Sequence, residues 1–342
     1  METSAKARAR VVPLPVRARV HRRLDFSIVI EWENARLSEL ARSHRMLENL
    51  AAQIAALDAR FFALCQIVFL YDRDAAQRPL IEQAVARRLA AVLAPGQLRL
   101  VDTEGLDYYQ LKNFGARQCE GDVVVLLDSD VVPEPDWLVK LIAPFRNPRA
   151  AVIAGTSYIE LEGIYSKAVA LWWLFPLRSE ASGLRRVGRF WANNVAFRRS
   201  LFLASGFPDT ANFRGQCLLL AGRLKRQGIP IVERSDARVS HPAPNGWRHF
   251  VCRGLCQGHD DVMLLDLVHK PEVATWRASW ARYLVKLGAA RSRIRVQRAK
   301  VGVGALGAAI AMLLAVVYFG LMVAGERIAL RRPAVLRKYF PI

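Results

Sequence analysis

Cysteine is scarce in this chain of 342 residues: there are five, an odd number, scattered from Cys65 to Cys256. That excludes a disulfide scaffold and favours a reducing compartment. Acidic residues are also in deficit, with 30 Asp and Glu against 50 Lys and Arg, which leaves a formal charge of +20. The first 23 residues lack the apolar run of about 7–15 residues that a cleaved signal peptide requires. A composition 53% hydrophobic excludes a mostly disordered chain, and the length allows one large domain or two ordinary ones.

A pI near 10.5 would ordinarily point to nucleic acid, but the location of the charge argues otherwise. Residues 1–23 carry +6, residues 273–300 carry +8 and residues 326–342 carry +4, so residues 24–272 hold only +2. Between the last two basic segments lie 25 residues, 301–325, with no charge. At about 1.5 Å per residue they reach across a hydrocarbon core with some tilt.

The expected organisation is a basic flexible arm (1–23), a folded domain (24–270), a basic amphipathic juxtamembrane helix (271–300), a transmembrane helix (301–325) and a basic tail (326–342). Trp276, Trp280, Tyr283, Leu284 and Leu287 recur at helical spacing among Arg277, Arg282 and Lys286, as in helices that lie among lipid headgroups. The larger cation excess before the span predicts a single pass through the cell (inner or plasma) membrane, with the folded domain cytoplasmic. Membrane lipids, not nucleic acid, are the partners this distribution implies. Gly302, Gly304 and Gly307 spell G-x-G-x-x-G. A basic helix rather than a strand precedes them, so they read as helix packing and not as a dinucleotide loop.

The nearly neutral middle alternates strand and helix. Residues 26–30, 63–70, 98–101, 123–127 and 150–154 are short apolar runs, separated by stretches of helical periodicity. Residues 123–127 are five consecutive aliphatics, the mark of a strand covered on both faces. The pattern predicts an α/β domain with a mostly parallel sheet flanked by helices, whose ligands bind beyond the carboxyl ends of the strands. Those positions hold Glu31 and Glu33, Asp72 and Asp74, Asp102 and Glu104, and Asp128 and Asp130. Asp102 reads as a helix N-cap. Asp128 and Asp130, one residue apart after a buried strand, point the same way. Two such charges call for a cation, and Mg²⁺ or Mn²⁺ completed by substrate phosphate suits oxygen ligands.

On these residues, roughly 26–265 resembles a family 2 glycosyltransferase with the GT-A fold. Asp128-Ser129-Asp130 is similar to the family's D-x-D after a hydrophobic strand, with Pro133 and Trp137-Leu138 following. Tyr109 to Gly115 resembles its A-R-N-x-G segment, with Lys112 in place of Arg. Trp191 to Gly206 resembles the acceptor-side strand and helix. The resemblance implies a nucleotide-sugar donor, contacted by Glu33 and Asp72 at the base or ribose, by Asp128 at the ribose and by Lys112 at the base or phosphate. It implies a divalent cation on Asp130, with His241 where some such enzymes place another ligand. Arg253 falls in a segment near the donor diphosphate or the acceptor. The acceptor would be a glycan or a lipid-linked saccharide.

One departure bears on mechanism. Residues 213–217 read F-R-G-Q-C where the family has F-x-G-E-D, so Gln216-Cys217 replaces the usual general base. Asp209, His259, Asp260 or Asp261 could serve instead. The reaction could also be retaining, which needs no such base, or the domain could bind a nucleotide sugar without turnover. His249, Cys252, Cys256 and His259 share one helical face but spread along about 15 Å of axis, too far to converge on one zinc. Trp172-Trp173 lies in an apolar stretch that reads either as core or as a membrane-dipping element.

Overall fold

A computed structural model describes residues 23–36, 38–72 and 77–339. Its strands are β1 (Leu24–Glu31), β2 (Phe62–Asp72), β3 (Leu98–Thr103), β4 (Val123–Asp128), β5 (Val132–Pro133), β6 (Val152–Ile159), β7 (Leu184–Val187), β8 (Asn194–Arg198) and β9 (Ile231–His241). Its helices are α1 (Leu40–Ala55), α2 (Gln77–Leu89), α3 (Tyr108–Gln118), α4 (Trp137–Ile142), α5 (Ile164–Ala170), α6 (Arg199–Ser205), α7 (Gln216–Arg226), α8 (Gly246–Leu264), α9 (Trp276–Gln297), α10 (Ala305–Arg331) and α11 (Pro333–Tyr339). The arm expected over 1–23 lies outside the described residues except for Arg23.

All strands join one nine-stranded sheet in the order β3-β2-β1-β4-β8-β6-β9-β5, with β7 on β9. From β3 to β4 every pairing is parallel, as strand–helix alternation requires. Beyond β4 the sheet turns mixed: β8 runs antiparallel to both β4 and β6, and β6 runs parallel to β9. The aliphatic run of β4 is buried on both faces. Phe26, Ile28, Phe69 and Val125 pack on one side, and Val29, Val68, Val124 and Leu126 on the other. The β1–β4 register sets Glu31 directly beside Asp128 at the carboxyl edge.

A third apolar cluster lies outside the sheet and is built by the C-terminal helices. Trp172 and Trp173, just after α5, are buried in it. The Trp172 ring lies 5.2 Å from Tyr318 and 5.7 Å from Phe319 of α10, and 6.3 Å from Phe250 of α8. The Trp173 indole N–H donates to the Tyr318 hydroxyl at 3.1 Å. Of the two expectations for this pair, core is the one realised.

Among the described residues one helix, α10, is long and apolar enough to cross a membrane. It continues past the uncharged stretch to Arg331. Its path against α8 is paved by glycine. A methyl group at Gly258 would collide with the Met322 carbonyl, one at Gly325 with the Leu255 carbonyl, and one at Gly254 would lie 2.8 Å from the Leu321 side chain. The two backbones therefore approach as only glycine permits.

Candidate active site

The carboxyl ends of β1 and β4 form one wall of a cavity of about 280 Å³. Asp128 is nearly fully buried and fully partnered. Its carboxylate accepts from the Asn34 amide at 2.9 Å and from the Tyr108 hydroxyl at 2.9 Å, and pairs with the Lys112 ammonium at 2.6 Å. Tyr108 and Lys112 reach it from the first turns of α3. That helix starts where Asp107 caps it, accepting from the Tyr109 and Gln110 N–H groups. Glu31 accepts from Asn34 through both its oxygens. Burial and the neighbouring Asp128 push its carboxyl well above the usual range.

Asp130 lies two residues on and differs in kind. It lines the cavity, and its Oδ1 is buried without a protein partner. Burial, then the Asp128 charge, raises its carboxyl to about 7. His241, at the end of β9, faces it with Nε2 at 3.8 Å from Oδ2. His241 Nδ1 lies 2.6 Å from the Pro242 carbonyl, which can only accept, so Nδ1 carries the proton and Nε2 presents a lone pair. Burial lowers this imidazole to about 3, so it is neutral. A neutral imidazole nitrogen and an orphaned carboxylate oxygen facing one cavity fit a divalent cation whose other positions go to water and phosphate. Among the described residues no three His, Cys, Asp or Glu side chains group as a closed metal cage.

The opposite wall is α8. Arg253, Cys256, Gln257, Asp260, Asp261 and Leu264 line the cavity at spacings of three and four, a single helical stripe. Gly254, Leu255 and Gly258 fall on the other side and meet α10. Arg214, just before α7, completes the basic lining. Its guanidinium stacks 4.0 Å over the Tyr108 ring and donates to the Asn34 side-chain oxygen at 3.3 Å. Trp173, Phe175, Arg189 and Trp191 close the remaining side.

Asp128, Asp130, His241, Arg253, Asp260 and Asp261 thus converge. The other expected residues do not. Lys112 is wholly buried behind Asp128 and neutralises that carboxylate, so it is no contact for a donor. Glu33 is half-buried in the turn after β1, where Asn34 lines the cavity in its place. The backbone of Asp72 ends β2 opposite Thr103; its side chain lies outside the described residues. Asp209 is exposed, holds the Gln110 amide at 3.1 Å and does not line the cavity. His259 is fully buried with its ring 5.0 Å from Phe213, turned off the cavity stripe by its position on α8. Asp260 does face the cavity, but both its oxygens are engaged, accepting the Phe213 and Arg214 backbone N–H groups at 2.7 and 2.8 Å. It clamps the loop that carries Arg214. Asp261 lines the cavity with Lys286 of α9 as its partner at 2.8 Å. Gln216 is buried with an unpartnered side-chain oxygen, and burial raises the Cys217 thiol, so neither offers a base at neutral pH.

Sequence reasoning passed over Asn34, Tyr108, Arg214 and Gln257. Arg214 stood inside the F-R-G segment already singled out. Nothing local marked Tyr108, whose partner lies 20 residues on.

A family model described as glycosyl transferase family 2 matches residues 46–204. A glucosyl-dolichyl phosphate glucuronosyltransferase of Haloferax volcanii is 29% identical over 189 residues, 49% of this chain and 58% of that protein. The match therefore spans little more than half the length of that relative. Among solved structures, the mannosyltransferase PcManGT from Pyrobaculum calidifontis, in complex with GDP-Man and Mn²⁺, aligns with a TM-score of 0.55 at 16% identity. That alignment covers 95% of this chain and 91% of that one. GalNAc-T7 with UDP, GalNAc and Mn²⁺ aligns with a TM-score of 0.50 at 17% identity, over 65% of this chain and 44% of that one. At such identities the two structures establish the fold alone, a GT-A arrangement.

Proposed function

We propose that this chain, which the family 2 model matches over residues 46–204, acts as a glycosyltransferase that moves a sugar from a nucleoside-diphosphate-sugar donor to an acceptor held at a membrane. The observation that carries this reading is the convergence of Asp128, Asp130 and His241 with Arg214 and Arg253 around one cavity. Two cationic side chains opposite a carboxylate and a neutral imidazole make a site for a diphosphate bridged by a cation. Asp130 and His241 would hold that ion, Mg²⁺ or Mn²⁺. When bound, it would offset charge developing on the departing nucleoside diphosphate. The Mn²⁺ named with the two neighbouring structures supports the choice.

In a single displacement an acceptor hydroxyl attacks the anomeric carbon, the bond to the diphosphate oxygen breaks, and the hydroxyl proton passes to a base. Of the four residues considered for that base, Asp209 and His259 lie off the cavity and Asp260 is committed to two backbone N–H groups. We assign the base to Asp261, which lines the cavity opposite the carboxylate wall. The Haloferax relative is named for a dolichyl-phosphate-linked sugar. That name and the apolar α10 support a lipid-linked acceptor, membrane association, and a catalytic domain on the cytoplasmic side where the cations lie.

The test is release of nucleoside diphosphate, and transfer, by the purified full chain with Mn²⁺ and a panel of UDP- and GDP-sugars. Turnover is expected, and Asp130→Ala should lower it by about 10³-fold. A second reading rests on Gln216-Cys217: a domain that binds nucleotide sugar without turnover. Retained nucleotide binding with no turnover on any donor would favour it.

A further inference from the structure

The uncharged stretch is long enough to cross a bilayer, yet α10 touches the same domain at both ends. Near its start, Gly307 sits against Ile164 of α5, and Val301 and Val303 enter the cluster around Trp172 and Trp173. Near its end, Glu326 is buried, accepts from the Ser279 hydroxyl at 2.6 Å and pairs with Arg282 of α9. Arg327 donates to the Ala274 carbonyl at 2.8 Å, and Ala329 packs with Val262 and Leu267. In between, the Tyr318 hydroxyl donates to Gln257, a cavity-lining residue, at 2.8 Å. From Gly307 to Ala329 the axis runs about 33 Å, the full thickness of a hydrocarbon core. A helix crossing at this pitch would drag α8, with Gln257, Asp260 and Asp261, into the hydrocarbon, which charged groups resist.

The large apolar side chains that α10 leaves exposed, Leu306, Leu313 and Val316, fall with Ala309 on one stripe along its first half, with Leu306 77% and Leu313 63% exposed; beyond Val316 only Ala324 and Arg331 of this helix are exposed. Ile164 continues it from α5, 54% exposed. Beside it, the last turn of α9 and the connection to α10 carry Arg295, Arg298 and Lys300, all exposed and none paired with a carboxylate among the described residues. A helical hairpin with three free cations at its tip is unsuited to insertion tip-first. An apolar stripe flanked by cations is suited to lying at the surface of an anionic bilayer.

We infer that α10 does not cross the membrane. Its Leu306–Val316 stripe and the basic α9–α10 connection dock the enzyme in plane onto an anionic lipid surface, with both ends of α10 on the cytoplasmic side. This rests on the membrane association proposed above and replaces the single pass expected from hydropathy. The donor cavity then sits beside the bilayer, because the helix that docks is packed directly behind the α8 wall.

Two measurements on the full chain test it. In flotation with vesicles of 70:30 phosphatidylcholine:phosphatidylglycerol, strong recovery is expected. It should be at least about tenfold weaker on pure phosphatidylcholine or after L306D/L313D, with UDP or GDP affinity unchanged within about twofold as the folding control. In the second, Lys300→Cys and Arg331→Cys, each in a Cys65→Ser background, are bound to preformed vesicles and treated with an impermeant maleimide. Both should label fully without detergent. If one of the two labels only after detergent, α10 crosses and the inference is wrong. If wild-type protein fails to float on any vesicle, or the stripe instead pairs two copies in solution, the membrane reading itself fails. Donor turnover, measured separately, stands or falls on its own.

Discussion

The two walls of the cavity are held by different physics. The β1–β4 wall is a polar lattice: Asp128 alone engages Asn34, Tyr108 and Lys112, and Glu31 engages Asn34 twice. Every member comes from the sheet edge or the helix beside it. The polar bonds of the α8 wall point away from the sheet: Asp260 accepts from the loop before α7, Asp261 pairs with Lys286 of α9 and Gln257 accepts from Tyr318 of α10. This wall is positioned from behind, where Gly254 and Gly258 let it close against Leu321, Met322 and Gly325 of α10. The first wall is local to the parallel part of the sheet, while the second depends on a helix more than 40 residues later in the chain. Cutting one wall loose should therefore leave the other intact.

The largest effect expected is from removing residues 273–342. The domain boundary near residue 270 looks natural from charge and hydropathy. Yet the cut bares the apolar back of α8 and the Trp172, Trp173 and Phe250 cluster. Exposed surface of that kind aggregates, so the truncated protein is expected in the insoluble fraction. Recovery of a soluble, monomeric, nucleotide-binding 1–272 fragment would show that the α8 wall stands alone. Next in size is Asp261→Asn, expected to lower kcat by about 10²–10³-fold with donor KM nearly unchanged. An equal rate in the variant would return the question of the base to Asp260 or to a retaining mechanism.

Gly258→Val asks about the same wall without touching a cavity residue. The side chain would meet the Met322 carbonyl, and overpacking of this kind costs about 3 kcal/mol. Denaturant unfolding should register the loss, and nucleotide affinity should fall with it because Arg253 and Gln257 shift. A stability loss with unchanged affinity would mean that α8 is held from its cavity side after all.

How much of this could be read from sequence follows the same division. The β4 aliphatics and the acids at strand ends are local signals, because a strand's exit point fixes where its next two side chains go. They located Asp128 and Asp130, and the family resemblance added His241. The antiparallel insertion of β8 between β4 and β6 left no local trace, since strand direction depends on which neighbour the chain finds. Lys112 reads from sequence as a base or phosphate contact, because its burial is set by Asp128 across the fold. On α8, one residue decides the face: Asp260 meets the cavity and His259, 100° around, meets Phe213. Glycines at 254 and 258 are also ambiguous in one dimension, because a helix–helix contact and a solvent face spell them alike. Hydropathy likewise gave the length of α10 without saying that both its ends rest on one domain.

The smallest effect tests the polar wall by one atom. Tyr108 donates its hydroxyl to Asp128, and its ring carries the Arg214 guanidinium 4.0 Å above it. Tyr108→Phe keeps the ring and removes only the donor. Asp128 retains Lys112 and Asn34, so no charge is stranded. The loss is that of one hydrogen bond to a charged group, about 1.5–2 kcal/mol. If the lattice orders Asp128 for the donor, this appears as a roughly tenfold higher donor KM with stacked Arg214 still in place. If the lattice serves stability alone, the unfolding free energy drops by the same amount and donor KM does not move. Pairing the measurement with Gly258→Val separates the walls: mutations this far apart should add if the walls are independent, and non-additivity beyond about 0.5 kcal/mol would mean that the cavity is one cooperative unit.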